Sequence, residues 1–500
     1  MASFDPDAPV LVGVGELTRG PKTEPSELTE PAEMMASVLR LAAEDAGPGE
    51  RLLRRAGVLA AAPTIAWGDG DPARRVGDLL GLDGVPSMRS SMQGGNGPQL
   101  LVNRLAERIQ AGELDVALIC GAEAVRSITT ARKSGIELGW PAPEPERAAD
   151  EVLEISRAGG SESEAAVAMI APLMAYPLIE NAIREASGRT VAEQQMRIAS
   201  LWSRFSKVAA GNPYAWTPQR YSASELAEPS AENRRVSFPY TKLLNANIQV
   251  DQAAGLILCS AAVATGLGID RDRWVFVHAG AQATDVWNLS ERPSLDRSLA
   301  IEACGQALYE HTDAGPDDLR RIDLYSCFPA AVELAADALG LPIDDPSRPL
   351  TETGGLTFFG GPGNNYATHG IAAVCRALRE GEPGELGLAT ALGWYATKHA
   401  LGIYGTAPPA KPFATHSPEV DQTIRLVAEP AEADARAETC TVIYQRDGSP
   451  SYGILFALLD DGRRALAQST DPSTMEAMTT DGFLGSTVRL DAERGFRPSP

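Results

Sequence analysis

The apolar runs of this chain occur twice in the same order, and that repetition limits the folds open to it. Val10-Leu11-Val12-Gly13-Val14-Gly15 is a short β-branched run ending in glycine, the pattern of a buried parallel strand. A helix is expected from Pro31, with Met34, Met35, Val38, Leu41 and Ala42 on one face, stopping at Asp45-Ala46-Gly47. Val58-Leu59-Ala60-Ala61 predicts a second strand, and Pro72 to Leu80 a second helix closed by Gly81-Leu82. The glycine-rich turn Gln93-Gly94-Gly95-Asn96-Gly97 then opens a helix carrying Leu101, Leu105 and Ile109. Asp115-Val116-Ala117-Leu118-Ile119-Cys120-Gly121 follows as a strand.

From Trp274 the series runs again. Trp274-Val275-Phe276-Val277-His278-Ala279-Gly280 answers the first strand, and a helix from Ser298 ends in Asp313-Ala314-Gly315, the tripeptide seen before. Ile322-Asp323-Leu324-Tyr325-Ser326-Cys327 answers the second strand, and Leu339-Gly340-Leu341 echoes Leu80-Gly81-Leu82. Gly360-Gly361-Pro362-Gly363-Asn364-Asn365 is a second glycine turn leading into a helix with Ile371, Val374 and Leu378; Leu388 to Gly393 is the closing strand. One βαβα unit cannot cover such apolar strands alone, so two units sharing helices are expected, with the glycine turns facing each other at a pseudo-twofold.

A chain of 500 residues exceeds one simple core, and its pattern divides it. The expected units are an N-terminal half, 1–272, with a polar insertion at about 125–245 read as a lid, and a C-terminal half, 273–405. Thr406 to Val420 reads as a linker. Residues 421–500 change grammar: Thr439 to Tyr444 and Tyr452 to Leu459 are strand-like, with turns at Arg446-Asp447-Gly448 and Asp460-Asp461-Gly462. That is the pattern of a small antiparallel β domain, expected as a barrel because a short sheet must hide its edges.

A net charge of −22 argues against nucleic acid as a partner. No apolar run is long enough for a membrane span, and Met1-Ala2-Ser3-Phe4-Asp5 has no signal-peptide character. The six cysteines are scattered without a CxxC pair, which fits free thiols in a reducing cytoplasm and neither disulfides nor a metal site.

The duplicated half, its two glycine turns, and the stretches Ala111 to Leu118, Asp251-Gln252-Ala253-Ala254 and Gly354-Gly355-Leu356 resemble the thiolase superfamily over about residues 8–405. The nearest likeness is to the sterol-carrier-protein-2 thiolase branch and its thiolase-like proteins. The resemblance implies a duplicated five-layered αβαβα fold, an acyl-CoA ligand and no other cofactor, and usually a dimer or tetramer. It also implies a cysteine nucleophile, a histidine in a Gly-His-Pro turn, an oxyanion stretch such as His-Asp-Cys-Phe, and a late cysteine that moves the α-proton.

The chain departs from that set at almost every place. The nucleophile slot falls on Gly94, or on Gln93 with a one-residue slip; the histidine slot holds Gly361; the oxyanion stretch reads Tyr325-Ser326-Cys327-Phe328; and the late cysteine slot falls near Ala391. Gly94, Gly95, Asn96, Gly360, Gly361 and Asn364 are then expected to face a ligand. Tyr325, Cys327 and His369 are the candidates for surviving chemistry, each with a packing role as its alternative. Ser90 and Ser91 lack a base in sequence, and Lys398 and His399 lie near the lost late cysteine with roles open. Losing a covalent nucleophile costs several orders of magnitude in rate. Three functions follow: acyl-CoA binding without ordinary thiolysis, a retro-aldolase acting on a CoA-linked lipid or steroid side chain, or a scaffold docking a partner through its β domain.

Overall fold

The computed structural model describes residues 4–20, 28–66, 70–141, 148–154, 156–157 and 159–499. Its main sheet orders the strands so that each half repeats the other. In the first half, Pro9–Arg19 lies antiparallel to Asp251–Ser260, which is antiparallel to Val116–Ala124, which runs parallel to Val58–Ala62. In the second, Val275–Thr284, Lys398–Gly405, Leu386–Gly393 and Leu319–Asp323 take the same places. The halves join where Val10 and Leu11 pair with Phe276 and Val275. The counterpart of the strand Ser87–Arg89 is missing from the second half among the described residues. In the first half the outer edge of Ser87–Arg89 is covered by Glu151–Val152.

The central layer consists of the helices Gly97–Gln110 and Tyr366–Glu380, each of which packs on strands of both halves. Helix Pro31–Ala46 lies close on the first strand because that strand offers no side chain to it at two places. A Cβ on Gly13 would meet the Ala42 carbonyl oxygen at 2.0 Å, and one on Gly15 the Val38 oxygen at 2.1 Å. Helix Leu299–Thr312 packs on Val275–Thr284, the corresponding strand of the second half. The result is the expected five-layered duplicate.

The insertion is built into the body. Its helix Val191–Ala209 buries Ile198, Leu201, Trp202 and Phe205, the stripe its periodicity predicts. Helix Pro172–Ala186 packs on the C-terminal strand Ala433–Tyr444, where Thr439 Oγ1 donates to the Leu178 carbonyl at 2.5 Å and Asn181 Nδ2 to the Cys440 carbonyl at 2.9 Å. The polar insertion therefore joins the C-terminal sheet to the core.

The C-terminal unit is an antiparallel sheet ordered Arg464–Ser469, Pro450–Leu458, Ala433–Tyr444, Thr487–Leu490, Phe496–Pro498. Its two edges touch at a single bridge between Gln468 and Gly495. Alternate side chains of Pro450–Leu458 serve two cores. Ile454 and Phe456 enter the main one, and Leu455 and Ala457 enter the sheet's own. That explains an apolar run with no polar alternation. The segment read as a linker is in part a strand, Thr415–His416, parallel to Val275–Thr284, with Phe413 buried. No helix among the described residues is long and apolar enough to cross a membrane.

Candidate functional site

The two glycine turns meet. Asn364 Oδ1 accepts the Gly94 N–H at 3.1 Å, and its Nδ2 donates to the carbonyls of Pro63 and Met92, each at 2.9 Å. The side chain is thereby committed to holding one turn on the other. Asn365 does similar work, donating to the Gly121 carbonyl at 2.7 Å.

The space beside the first turn is already filled. A Cβ on Gly95 would meet Tyr325 Oη at 2.3 Å and the Leu392 carbonyl oxygen at 2.6 Å; one on Gly94 would meet Asn96 Oδ1 at 2.3 Å and Lys398 Nζ at 2.8 Å. A phenol and an ammonium therefore stand where a nucleophilic side chain would reach. Tyr325 is buried, and burial pushes its hydroxyl well above the ordinary tyrosine range, so it is a neutral donor and not a phenolate.

Lys398 Nζ donates to Ser91 Oγ at 3.0 Å and to Glu154 Oε2 at 2.8 Å. Glu154 also accepts from Ser91 Oγ at 3.2 Å and from Asn96 Nδ2 at 3.2 and 3.3 Å. An ammonium bound to a carboxylate is no base for a serine, so the pairing does not activate Ser91. Sequence gave no signal for Glu154, which lies in the insertion, far from either turn.

Cys327 is buried, and burial lifts its thiol to about 12, against an opposing interaction with the Tyr176 hydroxyl, whose own hydrogen goes to the Trp394 carbonyl. Thiolate is therefore scarce near neutral pH. The Tyr176 hydroxyl donates to the Trp394 carbonyl at 2.9 Å and accepts the Ala396 N–H at 3.0 Å, and its ring stacks on Phe328 at 4.4 Å. Cys327 is a packed residue in this arrangement.

His369, Gly360 and Gly361 form a second group apart from the first turn. The His369 ring does not swing out; its Nδ1 binds Glu16, which also binds Arg376, and its Nε2 is buried without a partner. Ring contacts by way of Phe359 and Tyr366 connect it to Tyr325. Burial works to raise the Glu16 pKa, but Arg376 and His369 outweigh it and hold Glu16 low and ionised. A Cβ on Gly360 would strike Gln252 Oε1 at 2.1 Å, and the Gly361 N–H is bound to the Asn247 carbonyl at 2.9 Å. At the histidine slot itself a Cβ on Gly361 would lie 3.3 Å from the Asn247 carbonyl oxygen, so the exit of the insertion borders that position.

A cleft of about 480 Å³ opens at Glu154, lined also by Leu100, Arg104, Leu153, Gln282 and His399 among others. His399 Nε2 lies 3.1 Å from Asp285 Oδ2, and Asp285 also accepts from Ser298 Oγ at 2.5 Å and the Ala300 N–H at 3.1 Å. Burial works to raise Asp285, but His399 and Arg292 keep it below the usual carboxylate range.

Two carboxyls beneath the turns titrate far from their usual range. Burial raises Asp323, which accepts from Tyr366 Oη at 3.0 Å, to about 7, and raises Glu123, below Gly363, to about 7. The folded state thus holds protons that the unfolded state has released above pH 3.8 to 4.5. Stability is expected to fall as pH rises from about 4.5 to 7 and then to level off, by on the order of 3 kcal/mol for each fully shifted group. Denaturant unfolding at pH 5 and pH 8 checks this. Asp323→Asn should remove about half of the difference, leaving the share of Glu123, and an unchanged slope in that variant would remove Asp323 as a source.

Residues 418–494 match the family described as the thiolase-like protein type 1 additional C-terminal domain. An acetyl-CoA acetyltransferase of Methanocaldococcus jannaschii is 24% identical over 259 residues, 51% of this chain and 57% of that protein, so the chain spans little more than half of that relative. The Ltp2-ChsH2(DUF35) aldolase shares the fold at TM-score 0.59 and 16% identity, over 80% of this chain and 98% of that one. The crystal structure of a monomeric SCP2-thiolase-like protein type 1 from Mycobacterium smegmatis matches at TM-score 0.83 and 30% identity, over 99% of this chain and 100% of that one. With the relative matched from end to end and the added C-terminal sheet matched by its own family, this chain belongs to the SCP2-thiolase-like proteins of type 1.

Proposed function

We propose that the protein binds an acyl-CoA or a related thioester without passing through an acyl-enzyme. The observation that carries this reading is the filled nucleophile slot, with Tyr325 Oη against Gly95 and Lys398 Nζ against Gly94. A thioester carbonyl brought to the first turn would meet hydrogen-bond donors and no thiol. Donors without a nucleophile polarise a carbonyl but do not accept its acyl group. The acetyl-CoA acetyltransferase among the relatives supports the ligand class.

Aldol cleavage of a CoA-linked substrate is the second reading. It is favoured by the neutral Tyr325 hydroxyl at the turn and by the aldolase among the structural neighbours. Tyr325 would act there as a donor to a developing oxyanion.

Incubation with acetyl-CoA and a 3-ketoacyl-CoA, followed by intact-mass measurement, should give no adduct, while CoA should raise the unfolding temperature. An adduct overturns the non-covalent reading. The absence of both adduct and stabilisation overturns CoA binding and leaves the scaffold. Turnover of a CoA-linked aldol substrate that Tyr325→Phe abolishes and Cys327→Ala spares would establish the second reading.

A further inference from the structure

We propose that Lys398, Ser91 and Asn96 form a carboxylate-binding site now occupied by the protein's own Glu154, and that a carboxylate with an apolar tail displaces Glu154 into the adjoining cleft. The inference does not rest on CoA binding, because a free acid carries no nucleotide.

The donor set is built for an anion. Lys398 is 5% exposed, Ser91 1% and Asn96 1%, and all three point a donor at the same carboxylate. A buried ammonium needs a counter-charge, and two neutral donors beside it define where the oxygens must sit. These three residues come from the rigid part of the fold: the turn before the central helix and the first residue of the strand Lys398–Gly405.

Glu154 comes from something weaker. It follows the two-residue strand Glu151–Val152 at the sheet edge, and its backbone sits at φ +66°, a left-handed conformation that a glutamate adopts at a cost. Its side chain keeps 29% exposure and lines the cleft. Exchange of one carboxylate for another conserves charge and hydrogen bonds at Lys398 and releases the strained residue. The cleft then supplies room for a tail: Leu100, Val152, Leu153 and Pro418 are on its wall, and its volume of about 480 Å³ exceeds that of a short acyl chain.

The probe is octanoate, with octanol as the uncharged control and acetate as the tailless one, each titrated calorimetrically into the full chain. Octanoate should bind saturably and more tightly than either control. Glu154→Ala should strengthen octanoate binding by about tenfold or more by removing the internal competitor. Lys398→Met should abolish it. Glu154→Gln keeps the side-chain volume without the charge and serves if the alanine variant does not fold; it should strengthen binding in the same direction. Equal binding of octanoate and octanol, octanoate binding that survives Lys398→Met, or no saturable binding in any variant overturns the proposal. CoA titrated into the same proteins reads the CoA proposal separately, so either can fail alone.

Discussion

Gly95→Cys, which would put a thiol back into the first glycine turn, is expected to destabilise the protein by about 3 kcal/mol and to create no acyl-enzyme. The new Cβ would stand 2.3 Å from Tyr325 Oη and 2.6 Å from the Leu392 carbonyl oxygen. The first contact involves a fully packed ring and the second a backbone atom inside a sheet, so neither can yield cheaply. Gly94→Cys meets only the ends of Asn96 and Lys398, at 2.3 and 2.8 Å, and is expected to cost less. Gly95→Cys combined with Tyr325→Ala should recover part of the loss, because it removes one of the two obstacles. Urea unfolding of the three variants and the parent, with intact-mass measurement after acetyl-CoA, checks the order. A Gly94→Cys or Gly95→Cys protein of parental stability that takes up an acetyl group would show that the turn is open and that this reading of it is wrong.

The duplication and the meeting of the glycine turns were legible in sequence because each rests on local pattern repeated at a distance, whereas the first strand, expected parallel, is antiparallel to both its neighbours. A buried strand flanked by glycine, a helix stripe and a closing turn are all written within a few residues, and the second copy confirms the first. The site was only half legible. Gly94, Gly95, Asn96, Asn364 and Tyr325 do come together, since a glycine turn and its position in the repeat fix where they go. Glu154 could not be found, because its role depends on an insertion folding back over the sheet edge. His369 lies one helical turn past the second glycine turn, and sequence cannot say which face of that helix it takes. The helix turns it onto Glu16, in the core. The same limit applies to Cys327: the motif places it at a strand end, but only the fold brings Tyr176 of the insertion onto it.

The added C-terminal sheet has its central strands covered on both faces, and this bears on the scaffold reading. Ile454, Phe456 and Leu466 are committed to the main core, and the opposite face is covered by Met475, Met478, Phe483 and Leu484. A partner would have to engage loops and edges rather than a bare sheet face.

Arg464 fixes that sheet to the second half, and Arg464→Met is expected to cost about 3 to 5 kcal/mol. The side chain is fully buried; its Nη1 donates to the carbonyls of Ser290 and Arg292, each at 2.7 Å, while Nε and Nη2 fork onto the Glu438 carboxylate at 2.6 and 2.7 Å. Removing the guanidinium leaves a carboxylate and two carbonyls without their donor, and methionine fills the volume without replacing any of these bonds. Arg464→Lys should recover little, because a single ammonium cannot span the fork and both carbonyls at once. The loss should appear first as detachment of the sheet: a low-temperature unfolding transition, with proteolytic cleavage between about residues 405 and 432 before the core is cut. A variant that unfolds in one transition within about 0.5 kcal/mol of the parent would mean that the apolar contacts of Ile454, Phe456 and Leu466 hold the sheet alone. The sheet would then be a hydrophobic addition to the fold, and the buried arginine would only set its orientation.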